Sequence, residues 1–252
     1  MAARSSRNQY RRGRFGFLYK VLSILLILAA VVGGCIVFFR VEEIRIEGST
    51  VYSDEEIIAA AGVEQGDNLF LIRRVQIGRK IINQLPYIAE VNPRSVLPST
   101  LVITVTECTA AGALKGEDGT WWVLDSSCKL LEQGGNELTK QYPTVTGLTA
   151  LMPSEGAKLA VPAEESTKLD SLKELLTALN SREMLGQLQK VDLSGISEIH
   201  MTYDGRFDVR MPMYSDDVYL LVHTLQEVAA YLDDGQEGTI DLTGERARFI
   251  PD

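Results

Sequence analysis

Histidine and cysteine are scarce in this 252-residue chain, which has two of the first and three of the second. His200 sits in EIHMTY and His223 in YLLVHTL, and neither belongs to a His-x-x-x-His or Cys-x-x-Cys metal spacing. The Gly-x-Ser-x-Gly elbow, the phosphate loop and the Gly-x-Gly-x-x-Gly fingerprint are missing as well. Asp216-Asp217 and Asp233-Asp234 fall at helix ends, where solvated charge is ordinary, and nothing near Asp192 or Asp241 suggests a nucleophile. The expectation is a non-enzymatic chain with no cofactor and no metal.

Basic charge is also scarce over most of the length. Seven of the 25 basic residues lie at or before Arg40, and no acidic residue precedes Glu42. That leaves 18 basic against 34 acidic residues in 41–252, a net charge of −16. Such a surface repels nucleic acid and anionic lipid, and no basic patch with interleaved aromatics offsets it.

Against these absences stands one long apolar run. Residues 21–39 contain 19 positions without a charge, about 28 Å of helix against a hydrocarbon core of roughly 30 Å. Arg4, Arg7, Arg11, Arg12, Arg14 and Lys20 precede it. The positive-inside rule then predicts a cytoplasmic basic tail at 1–20, a membrane helix at 21–39 and an extracytoplasmic remainder. A cleaved signal peptide fits poorly, because no small-x-small site follows Phe39. Val32-Gly33-Gly34-Cys35 has the look of a lipoprotein processing site, but Ile36-Val37-Phe38-Phe39 continue the apolar run past the cysteine.

The extracytoplasmic part predicts an α+β fold in two domains, 41–108 and 109–252. In the first, a strand over 41–47 leads to Ser53-Asp54-Glu55-Glu56, a capping box with Tyr52 and Ile57 placed as a staple. Gly62 caps that helix, a second helix covers 74–85 before Pro86, and strands follow at 88–92 and 101–107. Cys108 and Cys128 then flank a hairpin turning at Glu117-Asp118-Gly119. The spacing leaves open a disulfide between them or two unpaired thiols. In the second domain WWVLDSSCKLLEQ gives strand, turn, strand, YPTVTGL (142–148) a loop, and the Leu169–Leu172–Leu175–Leu176–Leu179 stripe a core-facing helix. Strands at 188–193, 198–203 and 207–211 follow, the last two joined by Asp204-Gly205. A helix over 216–232 presents Val218, Leu221, Leu225, Val228 and Leu232 inward, and the chain closes on GTIDLTGERARFIPD.

The segments GSTVYSDEEIIAAAGVEQGDNLFLI, LPYIAEV and LPSTLVITVTE resemble the POTRA domain of the FtsQ/DivIB family of bacterial division proteins. YPTVTGL and TIDLTG also resemble family segments in place. The sequence departs from the family where Cys108 follows Glu107, where Pro93 displaces Arg94, and where Thr243 replaces a basic residue. The resemblance implies a β-α-α-β-β POTRA domain beginning at the membrane and a β domain ending in an edge strand. It implies a single-pass membrane scaffold of the divisome at the septum. Its partners would be FtsB/DivIC-like and FtsL-like bitopic coiled-coil proteins and other division membrane proteins, with residues 21–39 in the bilayer. The implied contact lies at Thr239, Ile240, Asp241, Leu242 and Thr243 and at Arg246, Arg248, Phe249 and Ile250, where a partner strand adds to an open edge. A charge at Leu242 or Phe249 is then expected to weaken capture and spare the fold. The alternative is POTRA-type handling of unfolded polypeptide in the envelope.

Overall fold

The computed structural model describes residues 15–233 and 235–252. Arg4, Arg7, Arg11, Arg12 and Arg14 of the basic tail, and Asp234, lie outside the described residues. Helix α1 spans Phe15–Phe38, beginning six residues ahead of the charge-free run. It is long and apolar enough to cross a membrane, and its 17–35 window is nowhere buried inside the protein.

The chain passes from α1 into strand β1 (Glu43–Glu47) without a free linker. The loop at 66–69 clamps the junction: Leu69 N donates to Phe39 O at 3.0 Å, Val41 N to Asp67 O at 2.8 Å, and Gly66 N to Val41 O at 2.8 Å. Helix α2 (Asp54–Ala61) carries the expected box, with Ser53 Oγ accepting from Glu56 N and Glu56 Oε2 accepting from Ser53 N; Gly62 closes it at φ 61°. Helix α3 spans Arg74–Gln84. Strands β2 (Ile88–Val96) and β3 (Thr100–Glu107) complete a three-stranded sheet of order β1-β3-β2, with β1 parallel and β2 antiparallel to β3. Ile57, Ile77, Ile81, Ile88, Leu101 and Ile103 fill the space between helices and sheet.

Glu107, the last residue of β3, holds the loop that follows the neighbouring β1. Its carboxylate accepts from Ser49 Oγ at 3.0 Å, Thr50 N at 2.7 Å, Thr50 Oγ1 at 2.5 Å and Val51 N at 2.8 Å. Desolvation pushes its pKa up, but those donors favour the charged form and together hold it down at about 2. A depressed folded pKa adds stability above the ordinary glutamate range, and that stability drains as pH falls from about 4.5 toward about 2. Glu107→Gln is expected to cost about 1–2 kcal/mol at neutral pH, kept small by solvent screening. The gap to the wild type should narrow as pH drops through that window in denaturant titrations; a gap independent of pH would refute the charged knot.

The second sheet has nine strands in the order β12-β11-β10-β9-β8-β7-β4-β5-β6. Strands β4 (Ala110–Lys115), β5 (Trp121–Asp125) and β6 (Leu130–Gly134) form one antiparallel end, followed by a short helix α4 (Leu138–Gln141). Strand β7 (Thr144–Thr146) corrects the expected loop. It lies in the sheet interior, parallel to both β4 and β8 (Leu188–Asp192), with Val145 buried. Three residues cannot display an alternation, so its β-branched Thr-Val-Thr run reads as a connection. Strands β9 (Glu198–Tyr203) and β10 (Phe207–Pro212) form the hairpin that Asp204-Gly205 announces; both turn residues have positive φ, 55° and 69°. Helix α5 (Ser166–Ser181) and helix α6 (Val218–Tyr231) cover one face through Leu172, Leu175, Leu176, Leu179, Val222 and Leu225.

The domains touch where Lys129, buried in the second, donates its Nζ to Ile88 O of the first at 2.9 Å; just before the boundary, Cys108 N donates to Tyr87 O within the first domain at 2.7 Å. The disulfide left open by the hairpin spacing is not formed; Cys108 and Cys128 are free thiols. They pack into different clusters, Cys108 beside Tyr87, Val123 and Leu131, and Cys128 beneath α5 with Leu124 and Leu130. Burial pushes the thiols up, to about 11 for Cys108 and about 12 for Cys128, so neither is a thiolate at neutral pH.

Candidate partner-binding edge

The carboxy-terminal ribbon consists of β11 (Gly238–Asp241) and β12 (Arg248–Pro251). Strand β10, helix α6 and β11 make a crossover unit, so β11 runs parallel to β10, with Phe207 beside Gly238 and Arg210 beside Asp241. Strand β12 returns antiparallel, with Thr239 beside Ile250 and Asp241 beside Arg248. The sheet therefore ends one strand later than TIDLTG suggests. Residues 239–243 do not form the open edge, because β11 has a neighbour on each side. Only β12 does.

Main-chain polarity along β12 follows from two sets of bonds. Gly238 N donates to Arg206 O and Leu242 N to Arg210 O, so even-numbered amides of β11 face β10 and odd-numbered ones face β12. Asp252 N donates to Glu237 O on the other side. By the two-residue alternation of an antiparallel pair, Arg248 and Ile250 turn their main-chain groups toward β11. Phe249 turns its N–H and C=O outward, and Pro251 presents an outward carbonyl with no N–H to offer. Gly238, with φ 152°, permits this closure, since a Cβ there would run into the Ile250 carbonyl.

The side chains divide along the same alternation. Ile240 and Leu242 are fully buried, and Phe249 is half-buried with its ring edge-on to Phe207 at 6.2 Å. Thr239, Asp241, Arg248 and Ile250 belong to the opposite, uncovered face, where Ile250 is 52% exposed. Asp241 and Thr243 close the strand on themselves: Asp241 Oδ1 accepts from Thr243 N at 2.9 Å and Thr243 Oγ1 at 2.6 Å. The Thr243 hydroxyl, then its amide, lower the Asp241 pKa, with Arg210 and Arg248 adding smaller pulls. Arg246 lies exposed on the turn between the two strands. Of the nine residues expected to bind, Arg248, Phe249 and Ile250 are on the edge, Arg246 beside it, Thr239, Asp241 and Thr243 one strand in, and Ile240 and Leu242 in the core. The charge at Leu242 that was expected to spare the fold would strike that core. Sequence reasoning missed Gly238; an isolated glycine opening a strand is its one visible sign.

The other end of the sheet is less open. At the start of β6 the loop at 156–159 covers the margin, with Leu130 N donating to Ala157 O and Gly156 N to Leu130 O, each at 2.8 Å. Among the described residues no group of three His, Cys, Asp or Glu could hold a metal ion. His200 and His223 each lie beside a glutamate, Glu198 at 3.7 Å and Glu227 at 3.6 Å.

Residues 39–107 match the family model described as POTRA domain, FtsQ-type. The chain is 30% identical to a cell division protein FtsQ of Geotalea daltonii over 69% of its own length and 58% of that protein. It is 25% identical to FtsQ of Corynebacterium glutamicum, over 57% of this chain and 60% of the relative. To a cell division protein DivIB of Clostridium acetobutylicum it is 24% identical, over 66% of this chain and 64% of the relative. The alignments thus span less than two thirds of these relatives' lengths. The POTRA match starts where α1 ends, and the likeness to the cell division proteins FtsQ and DivIB runs well past it.

Proposed function

We propose that this chain is a single-pass scaffold of the bacterial divisome that transforms no substrate. Its amino terminus lies in the cytoplasm and its two domains outside, an orientation supported by the arginines ahead of α1 and the acidic balance after it. It acts at the septum by capturing an extended segment of a small bitopic coiled-coil protein, of the FtsB/DivIC or FtsL kind, as an added strand on β12. The observation that carries this reading is the outward main chain of Phe249 at an open sheet margin, flanked by Arg246 and Arg248 in an otherwise acidic domain. Main-chain bonds would supply affinity, and the exposed arginines would select a partner strand with carboxylates.

A photo-crosslinking residue at Ile250, in living cells, is expected to trap a small single-pass protein. The same residue at Gln133, exposed on β6 at the far end of the nine-stranded sheet, should not trap it. Equal capture from both positions, or none from Ile250 in a folded protein, would defeat the reading.

A further inference from the structure

Three large apolar side chains stand exposed beside the end of α1: Phe70 at 63%, Leu71 at 73% and Val75 at 70%. They occupy the loop after Asn68 and the first turn of α3. Their position is fixed by the chain that leaves the membrane helix. Leu69 N bonds to Phe39 O, and the Phe70 ring sits edge-on to the Phe39 ring at 4.9 Å, one residue beyond the last residue of α1. A soluble domain rarely leaves such a cluster uncovered.

Charge at this spot runs against the rest of the domain. Residues 68–84 carry Arg73, Arg74, Arg79 and Lys80 and no acidic residue, within a region of net charge −16. Arg40, Arg73, Arg74 and Arg79 are exposed, and none is in an ion pair among the described residues. The nearest acid in the loop, Asp67, is turned aside to accept from the Glu64 amide at 3.1 Å. Apolar side chains bordered by arginines without an acidic partner (Arg74 donates only to Ser95 Oγ, at 3.4 Å), at the level where a membrane helix ends, match the layered chemistry of a bilayer interface, hydrocarbon beneath phosphate.

We propose that residues 68–75 form a lipid-docking surface. Phe70, Leu71 and Val75 enter the interfacial zone of the leaflet through which α1 exits, and Arg40, Arg73 and Arg74 hold anionic phosphodiester headgroups. The contact continues the α1 anchor and fixes how the POTRA domain stands on the membrane, so that β12 is presented at a set height. It rests on α1 crossing the bilayer, but it does not depend on what β12 binds.

The test uses the full chain bearing Leu71→Trp in nanodiscs that contain phosphatidylglycerol and bromine-labelled lipid. Retention of the chain with the discs in size exclusion reports the α1 anchor separately. The emission added over wild type, whose Trp121 and Trp122 lie in the second domain, is expected to fall by more than half. Arg73→Glu with Arg74→Glu should reverse most of that quenching while leaving disc retention and circular dichroism unchanged. Quenching no greater than that of Trp121 and Trp122, or quenching indifferent to the charge reversal, would overturn the proposal.

Discussion

Replacing Leu242 with aspartate is expected to unfold the second domain. Leu242 is 2% exposed, beside Ile240 in the cluster formed by α5, α6 and the sheet, and its amide already bonds to Arg210 O at 2.8 Å. Removing a buried leucine side chain costs about 2–5 kcal/mol, and a carboxylate left without a partner there adds to it. The sum approaches the whole stability of an ordinary domain, about 5–15 kcal/mol. Far-ultraviolet circular dichroism and limited proteolysis should show loss of the cooperative transition, whereas Arg246→Asp, four residues on and exposed, should shift the midpoint only slightly. A Leu242→Asp protein with wild-type unfolding would mean that this ribbon is not packed as described. The same result bears on any binding assay, because a loss of partner at Leu242 reports the core and not the contact.

The contrast between Leu242 and Ile250 also marks where sequence reasoning stopped. The capping box at Ser53, the left-handed Gly62 and the Asp204-Gly205 hairpin were legible, because each is a short-range pattern whose physics is complete within a few residues. The alternation of β9 and β10 was legible because one face packs under helices and the other is open. Thr239-Ile240-Asp241-Leu242 shows that same alternation, and nothing in it says whether a further strand lies beyond. The deciding facts are non-local: α6 returns the chain parallel to β10, and Gly238 leaves room for a four-residue strand too short to announce itself. Glu107 was hidden for a related reason, since its donors lie more than fifty residues upstream.

Phe249→Pro and Phe249→Leu separate backbone capture from side-chain contact. Both substitutions remove the ring that meets Phe207 edge-on, so both should lower the thermal midpoint by similar amounts. Only proline removes the Phe249 N–H, which points away from β11, so the β11–β12 ladder survives in either variant. A partner strand on this margin would then keep a carbonyl with no donor, at a cost of about 1–3 kcal/mol. That corresponds to a drop in affinity of roughly fivefold to a hundredfold for proline relative to leucine. Titration of each variant of the chain in nanodiscs against the proposed coiled-coil partner would measure it. Equal affinities would mean that the partner is held by side chains alone and that β12 receives no strand.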